Sequence, residues 1–348
     1  MHADRLKRQG LRIGFAVAGG MTAAVASGSV MPFLGPLFAA QFLVSSPKPL
    51  ALRQAIGLVI IIFLVGQAMV LLTGLTGDRP VVLLALLGLI YFGCFLLLAR
   101  GKGGPVGFLI IVIAIMVPML GLLHKDLGES IVGLLLKGVL SGVALTWLTH
   151  LVFPDSRPDT LEPPVVPLLE GAEWRALANA AILVMMVAVC LVSDLFSSAI
   201  VVPITVASVL NQIDLANSRR AAFGLMIVNL LGGIAASTAF LFLEIRPTLI
   251  FLFLIVLIVG LLFGGRAADR QSGKIYAGAL TIFIILFGLG VSPLPTSAGD
   301  SFATRIGQVL FAIACTACLT ALLWPAARAR RKDSPLDIDA AGDIVSFD

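Results

Sequence analysis

Apolar runs of about 17 to 22 residues follow one another along almost the whole chain, and a run of that length has one obvious solvent. A helix rising 1.5 Å per residue needs about 20 such residues to cross roughly 30 Å of hydrocarbon. The runs delimit twelve spans: 11–27, 29–45, 53–74, 80–99, 105–123 and 131–153, then 176–194, 196–212, 221–243, 247–264, 274–291 and 304–324. Each is expected to be helical, because a backbone amide left unpaired in hydrocarbon costs several kcal/mol. The Val/Ile-rich stretch 108–117 would suit a buried strand in water, but in lipid the backbone demand overrides that propensity. Composition agrees. Only 12% of the 348 residues are charged and 59% are hydrophobic, whereas a soluble domain averages about 25% charged. The first span is not expected to be a cleaved signal, since it opens a pattern that recurs later and no A-x-A site follows it.

The net charge of +5 raises the question of an acidic partner, and its distribution answers it. With the N-terminus inside, 19 of the 24 Lys/Arg fall on one side of the membrane. Arg79, Lys125, Arg246 and Arg305 fall on the other. Arg12, Arg53, Lys274 and Arg305, at span ends, are counted to the loops they adjoin, and only Lys137 lies clear of a span's ends. That bias follows the positive-inside rule and predicts an inner-membrane protein with both termini in the cytoplasm. Basic residues clustered with aromatics, which nucleic acid would require, are absent from the sequence. The four cysteines (Cys94, Cys190, Cys315, Cys318) all lie inside spans. Cys315-x-x-Cys318 has no second Cys/His pair to complete a zinc site, so packing is the preferred reading and no metal or cofactor is expected.

Sliding the chain on itself by 167 residues brings Arg8 onto Arg175, Pro36 onto Pro203, Arg53 onto Arg220, Gly57 onto Gly224 and Gly66 onto Gly233. The same offset brings Arg79-Pro80 onto Arg246-Pro247, Gly93 onto Gly260 and Gly121 onto Gly288. Between Arg53 and Ala68, eight of sixteen positions are identical to those from Arg220 to Ala235. Chance likeness between apolar helices pairs Leu with Leu; it does not keep Arg, Pro and Gly in register over such a distance. Toward the ends the register drifts by four, so that Phe153-Pro154 meets Trp324-Pro325. The expected architecture is therefore all-α and polytopic, about twelve helices in two six-helix repeats, 1–153 and 174–327. Six is even, so both copies enter the membrane in the same sense and run parallel. A Pro-rich, acidic cytoplasmic linker, 154–173, joins them, and a basic then acidic tail, 328–348, is expected to be disordered.

Two stretches carry a family resemblance. Pro32 to Gly66, with Arg53-Gln-Ala-Ile-Gly57, and Ile200 to Gly233, with Arg220-Ala-Ala-Phe-Gly224, each pair a Pro-containing span with an Arg-x-x-x-Gly start to a Gly-rich one. This pattern resembles the fusaric acid resistance and aromatic acid exporter superfamily. The resemblance implies an inner-membrane exporter of aromatic or other weak organic acids, driven by the proton gradient and paired with a periplasmic membrane-fusion (adaptor) protein. The chain departs from it in lacking the sizeable cytoplasmic domain of long members and in having Leu58, Leu225 and Phe33 where the family's motif commonly has Thr and Trp/Tyr.

Polar residues inside the spans are the candidates for substrate contact. Pro32 and Pro36 in span two, and Pro203 in span eight, mark helix breaks at equivalent places, and interrupted helices in two halves point to a binding site. Gln41, then Thr205, Ser208, Asn211 and Gln212, lie on the same two spans. Close packing at a proline kink is the competing reading. Lys137 lies among Gly133, Gly138 and Gly142 of span six. It either anchors a substrate carboxylate or snorkels about 9 Å to the outer surface and pairs with Glu129 or a headgroup. Its mate after the drift is Gln308. Gln67 and Asn229 either bind helices together, which is preferred, or line a polar path. Arg53 and Arg220 read as anchors in a first helical turn, and Pro80 and Pro247 as first helical residues. No Asp or Glu falls at a midplane, leaving Asp194 and Glu244, at span ends, as the candidates for proton coupling. Gly273-Lys274 lacks the glycine and Ser/Thr of a phosphate loop, and no nucleophile signature or histidine constellation is present, so an enzyme is not expected. A non-transporting scaffold or accessory subunit is the alternative.

Overall fold

The computed structural model describes residues 2–46, 48–101, 104–123, 125–154, 172–192, 201–213, 219–267, 273–292 and scattered positions between 307 and 320. Every regular element among them is an α-helix: α1 (His2–Ala26), α2 (Leu34–Ser45), α3 (Leu52–Thr76), α4 (Pro80–Ala99), α5 (Gly104–Leu123), α6 (Lys125–Val152), α7 (Ala172–Val192), α8 (Val201–Ile213), α9 (Arg219–Ile245), α10 (Leu249–Ala267) and α11 (Gly273–Gly290). The described positions from 307 to 320 are helical as well, with Thr316 Oγ1 donating to the Ala312 carbonyl at 2.6 Å. Five helices are long and apolar enough to cross a membrane: α3, α4, α6 from Ser130 onward, α7 and α10. The linker expected at 154–173 and the tail expected at 328–348 lie almost entirely outside the described residues, which include only Pro154, Ala172 and Glu173 of the linker.

Two helices correct the expected spans. α2 has 12 residues, about 18 Å of rise, and falls short of roughly 30 Å of hydrocarbon. Pro32 sits in a turn before it, and Pro36 is its third residue. A proline there loses no intrahelical bond, because the first four N–H groups have no acceptor anyway. The proline therefore begins a half-length helix; it does not interrupt a full one. Pro203 falls in α8, whose described part is Val201–Ile213; the residues before and after it, 193–200 and 214–218, lie outside the described ones. A further correction concerns Pro247, expected at the first helical position. α10 starts two residues later because Thr248 caps it, its Oγ1 accepting from Phe251 N–H at 3.3 Å. Pro80 does open α4. α1 is closed by Gly28 at φ +67°, with Ser29 N–H reaching the Ala24 carbonyl and Gly28 N–H the Val25 carbonyl, a turn that a side chain at position 28 would strain.

The helices sort into an inner and an outer set. α2, α5, α8 and α11 are apolar and buried nearly all round, from Leu34 to Leu43, Phe108 to Met119, Val202 to Leu210 and Ala279 to Phe287. They touch one another, α2 against α11 and α5, and α8 against α5 and α11. Around them α3, α4, α9 and α10 turn large side chains outward, among them Leu64, Leu75, Val81, Leu231 and Ile250. An outer surface this apolar suits hydrocarbon, and water would make it an aggregation hazard.

Packing partners recur in pairs. α1 lies along α10, and α4 along α7; α3 packs on α5, and α9 on α11; α2 meets α11, and α5 meets α8. Moving each helix six places along the chain, or six back, exchanges the members of each pair. The crossings also agree in register to within one turn. Gly10 lies against Gly265 and Gly14 against Leu261 in the first, while Gly88 lies against Val184 and Arg100 against Glu173 in the second. The α1–α10 crossing is built on glycine: a Cβ on Gly10 would stand 2.6 Å from the Gly265 Cα, and one on Gly260 3.1 Å from the Gly14 Cα. Backbones that close exclude any side chain between them.

Candidate functional site

The end of the bundle at which α1 begins is the basic end, carrying Arg8, Arg12, Lys48, Arg53 and Arg100. There the first turns of α1 tie down two other helices. Arg12 is 1% exposed, and its Nε donates to the Phe153 carbonyl at 2.8 Å, with Nη2 on the same oxygen. Arg8 Nη1 reaches the Pro154 carbonyl at 3.2 Å, and Gln9 Nε2 reaches the Leu43 carbonyl. A buried guanidinium stays charged, and the carbonyls just past the end of α6 sit at the negative pole of that helix. The sequence reading placed Arg12 among the loop residues that set topology; it is instead a buried latch.

One layer deeper lies a set of neutral polar groups. Gln41 Nε2 of α2 donates to Thr281 Oγ1 of α11 at 3.0 Å, and the Thr281 hydroxyl donates to the Ala277 carbonyl at 2.9 Å. This contact belongs to a continuous seam, because Gly288 abuts Phe33 and Ser292 Oγ donates to the Val30 carbonyl at the far end. Ser208 and Thr205 of α8 are buried, at 2% and 1% exposure. The 167-residue offset places Ser208 at the position of Gln41 and Ala114 at that of Thr281, so the mate seam keeps a polar side chain on one helix only. Asn179 of α7 is fully buried, and neither its Nδ2 nor its Oδ1 has a hydrogen-bond partner. Its mate under the offset is Arg12, and the mate of Gln9 is Ala176. Of the three donors that close the first latch, the second copy keeps the mate of Arg8, Arg175, and has Asn179 and Ala176 in place of Arg12 and Gln9. Counted along their helices from the basic end, Gln41, Ser208, Asn179 and Thr281 all lie about 6 to 12 Å in.

The remaining candidates are dispersed. Lys137 is exposed on the outward face of α6 with Leu140 and Trp147, and so is not part of the inner set. Gly138 and Gly142 pack against Leu34 and Phe38 of α2; Lys137, about 100° around the helix from Gly138, is turned away from that contact. Gln67 is exposed on α3 and Glu244 on α9. Asn211 is half-buried on α8. Gln212 and Asn229 fall on helices but their side chains lie outside the described residues, as do Asp194 and Gln308 altogether. Arg53 is exposed at the start of α3, while of Arg220 only its place in the first turn of α9 is described. A Cβ at Gly57 or Gly224 would meet nothing within 4 Å, so close packing does not explain these two motif glycines.

The sequence of residues 9–149 matches a family described as "Protein of unknown function (DUF2955)". The matched stretch runs from Gln9, two turns into α1, to the last turn of α6. No curated protein and no solved structure matches the chain.

Proposed function

We propose that the chain is an inner-membrane secondary transporter that exports aromatic or other weak organic acids. Twelve spans form two parallel six-helix copies, the twelfth at 304–324, with both termini in the cytoplasm. The observation that supports this reading most is the inner set. Four helices from equivalent places in the two halves, one of them (α2) half-length, meet at the centre and hold a neutral polar layer near one end. Half-length helices leave terminal backbone groups inside the protein, where a cargo can use them. Paired packing across the 167-residue offset supports the duplication, and the basic end is the cytoplasmic one on the positive-inside argument. A periplasmic adaptor and a proton gradient belong to the same proposal through the family resemblance.

A scaffold or accessory subunit is the second reading, favoured by one observation. Apart from Lys274 in the first turn of α11, the four inner helices carry no Lys, Arg, Asp or Glu. Accumulation of a panel of labelled aromatic acids in energised cells separates the two. Lower accumulation of at least one acid in cells holding the protein is expected, and equal accumulation across the panel would sink the exporter reading.

A further inference from the structure

We propose that Asn179 is the recognition residue of a ligand site at the basic end of the second half, and that the site takes a neutral planar group with a hydrogen-bond donor beside an acceptor. A protonated carboxyl or a primary amide has that edge. The argument begins with the side chain. Asn179 offers one acceptor and one two-proton donor on a rigid plane, and both are buried without a partner. Such groups are rarely left unmatched, and a protonated carboxyl satisfies both at once with two parallel hydrogen bonds. Local chemistry selects the neutral form. Ala176, Ala178 and Ala180 flank Asn179, all buried. On the helices packed against α7, α8 carries no charged residue, and α4 brings Tyr91 and Cys94, with Arg100 at its end already paired to Glu173 at 3.1 Å. On α7 itself Arg175 lies one turn nearer the basic end, half-buried and already engaged, and Cys190 lies three turns the other way. Among the described residues the neighbouring cation, Arg175, is already engaged, so a carboxylate at Asn179 would compete for it or be buried unpaired, which costs far more than burying the neutral acid.

Position strengthens the assignment. The register of α1 on α2 is fixed by Gln9 on Leu43 and by Gly20 on Pro36. Carried across by the offset, it sets Asn179 level with Ser208 and Asn211 of α8. The first half fills the equivalent place with its own Arg12 side chain; the second leaves an unanswered amide. The packed arrangement around Asn179 is then the empty state, and ligand favours an opened one. As a statement about cargo, this rests on the transporter reading; as a statement about binding, it stands apart.

Labelled benzoic acid and benzamide, titrated onto the purified full chain in lipid nanodiscs, test it. Benzamide should bind equally from pH 5 to pH 8. The apparent Kd of benzoic acid should rise about tenfold per pH unit above a pKa of about 4.3. Asn179→Leu should weaken both at least about tenfold in protein that elutes and melts normally, whereas Arg175→Gln should retain both. Benzoic acid binding that is flat with pH, or lost in Arg175→Gln but kept in Asn179→Leu, would overturn the proposal. So would failure of both probes to bind, which would leave Asn179 to a water molecule. Binding as expected in a protein that exports nothing would remove the transporter reading and keep the site; export with a flat binding profile would do the reverse.

Discussion

Replacing Arg12 and Asn179, repeat-mates under the 167-residue offset, by the same residue should shift stability in opposite directions. Asn179→Leu removes two polar atoms that are buried and unpartnered. Each such group costs about 1–3 kcal/mol in a dry setting. Leucine adds apolar contact in the same space, and the altered shape takes back about 1 kcal/mol or more. A net gain of about 1 kcal/mol or more, up to about 5, follows. Arg12→Leu deletes charge-assisted bonds to the Phe153 carbonyl and leaves that oxygen uncapped. Hydrogen bonds to charged groups are worth about 1.5–3 kcal/mol, so a loss of that size is expected. Equilibrium unfolding in mixed SDS–detergent micelles, followed by circular dichroism, reads both variants against wild type. Opposite signs are required. Loss of stability in both, or a loss above about 1 kcal/mol for Asn179→Leu, would refute the assignment of an unanswered amide.

Four further outcomes follow from the packing. Gly14→Leu and Gly264→Leu should abolish folded protein on size-exclusion chromatography, since a Cβ there would stand 2.8 Å from Leu261 and from Ile13 respectively. Gly57→Ala and Gly224→Ala should be tolerated, with a gain of up to about 1 kcal/mol in micelle unfolding from the helix propensity of alanine; lost yield would show that these open positions have a packing role after all. Arg100→Ala should cost less than about 0.5 kcal/mol in the same unfolding titration, because its ion pair with Glu173 is largely exposed. Lys137→Ala should leave accumulation of labelled acids unchanged, because the side chain faces outward; raised accumulation at equal expression would restore it as an anchor.

The helices were legible in the sequence because lipid leaves an apolar run little choice but to be one. The half-length of α2 was signalled by Pro36, although a proline at the third position starts a helix and does not break one. Which helices lie inside was not legible. The run Ile110 to Val117 in α5 is apolar on every side, and such a helix faces lipid or protein with equal ease. For Lys137 the sequence left an anchor and a snorkelling side chain both open, because a single residue's step around the helix separates the face packed at Gly138 from the outward one. Asn179 passed unnoticed as one polar residue in an alanine-rich stretch. The signal that could have found it was the offset itself, which pairs it with Arg12 and so makes that place polar in both halves.

The central claim is that cargo passes the polar layer held by the inner helices, and the Gln41–Thr281 contact is where that claim is most exposed. Accumulation of labelled benzoic acid should be measured in energised cells holding wild-type protein, Gln41→Leu protein at equal membrane level, or none. The account predicts low accumulation with wild type only, with the variant resembling cells that lack the protein. Wild type and variant both lowering accumulation equally would remove the polar layer from the path, and no difference among the three would contradict transport of this acid altogether.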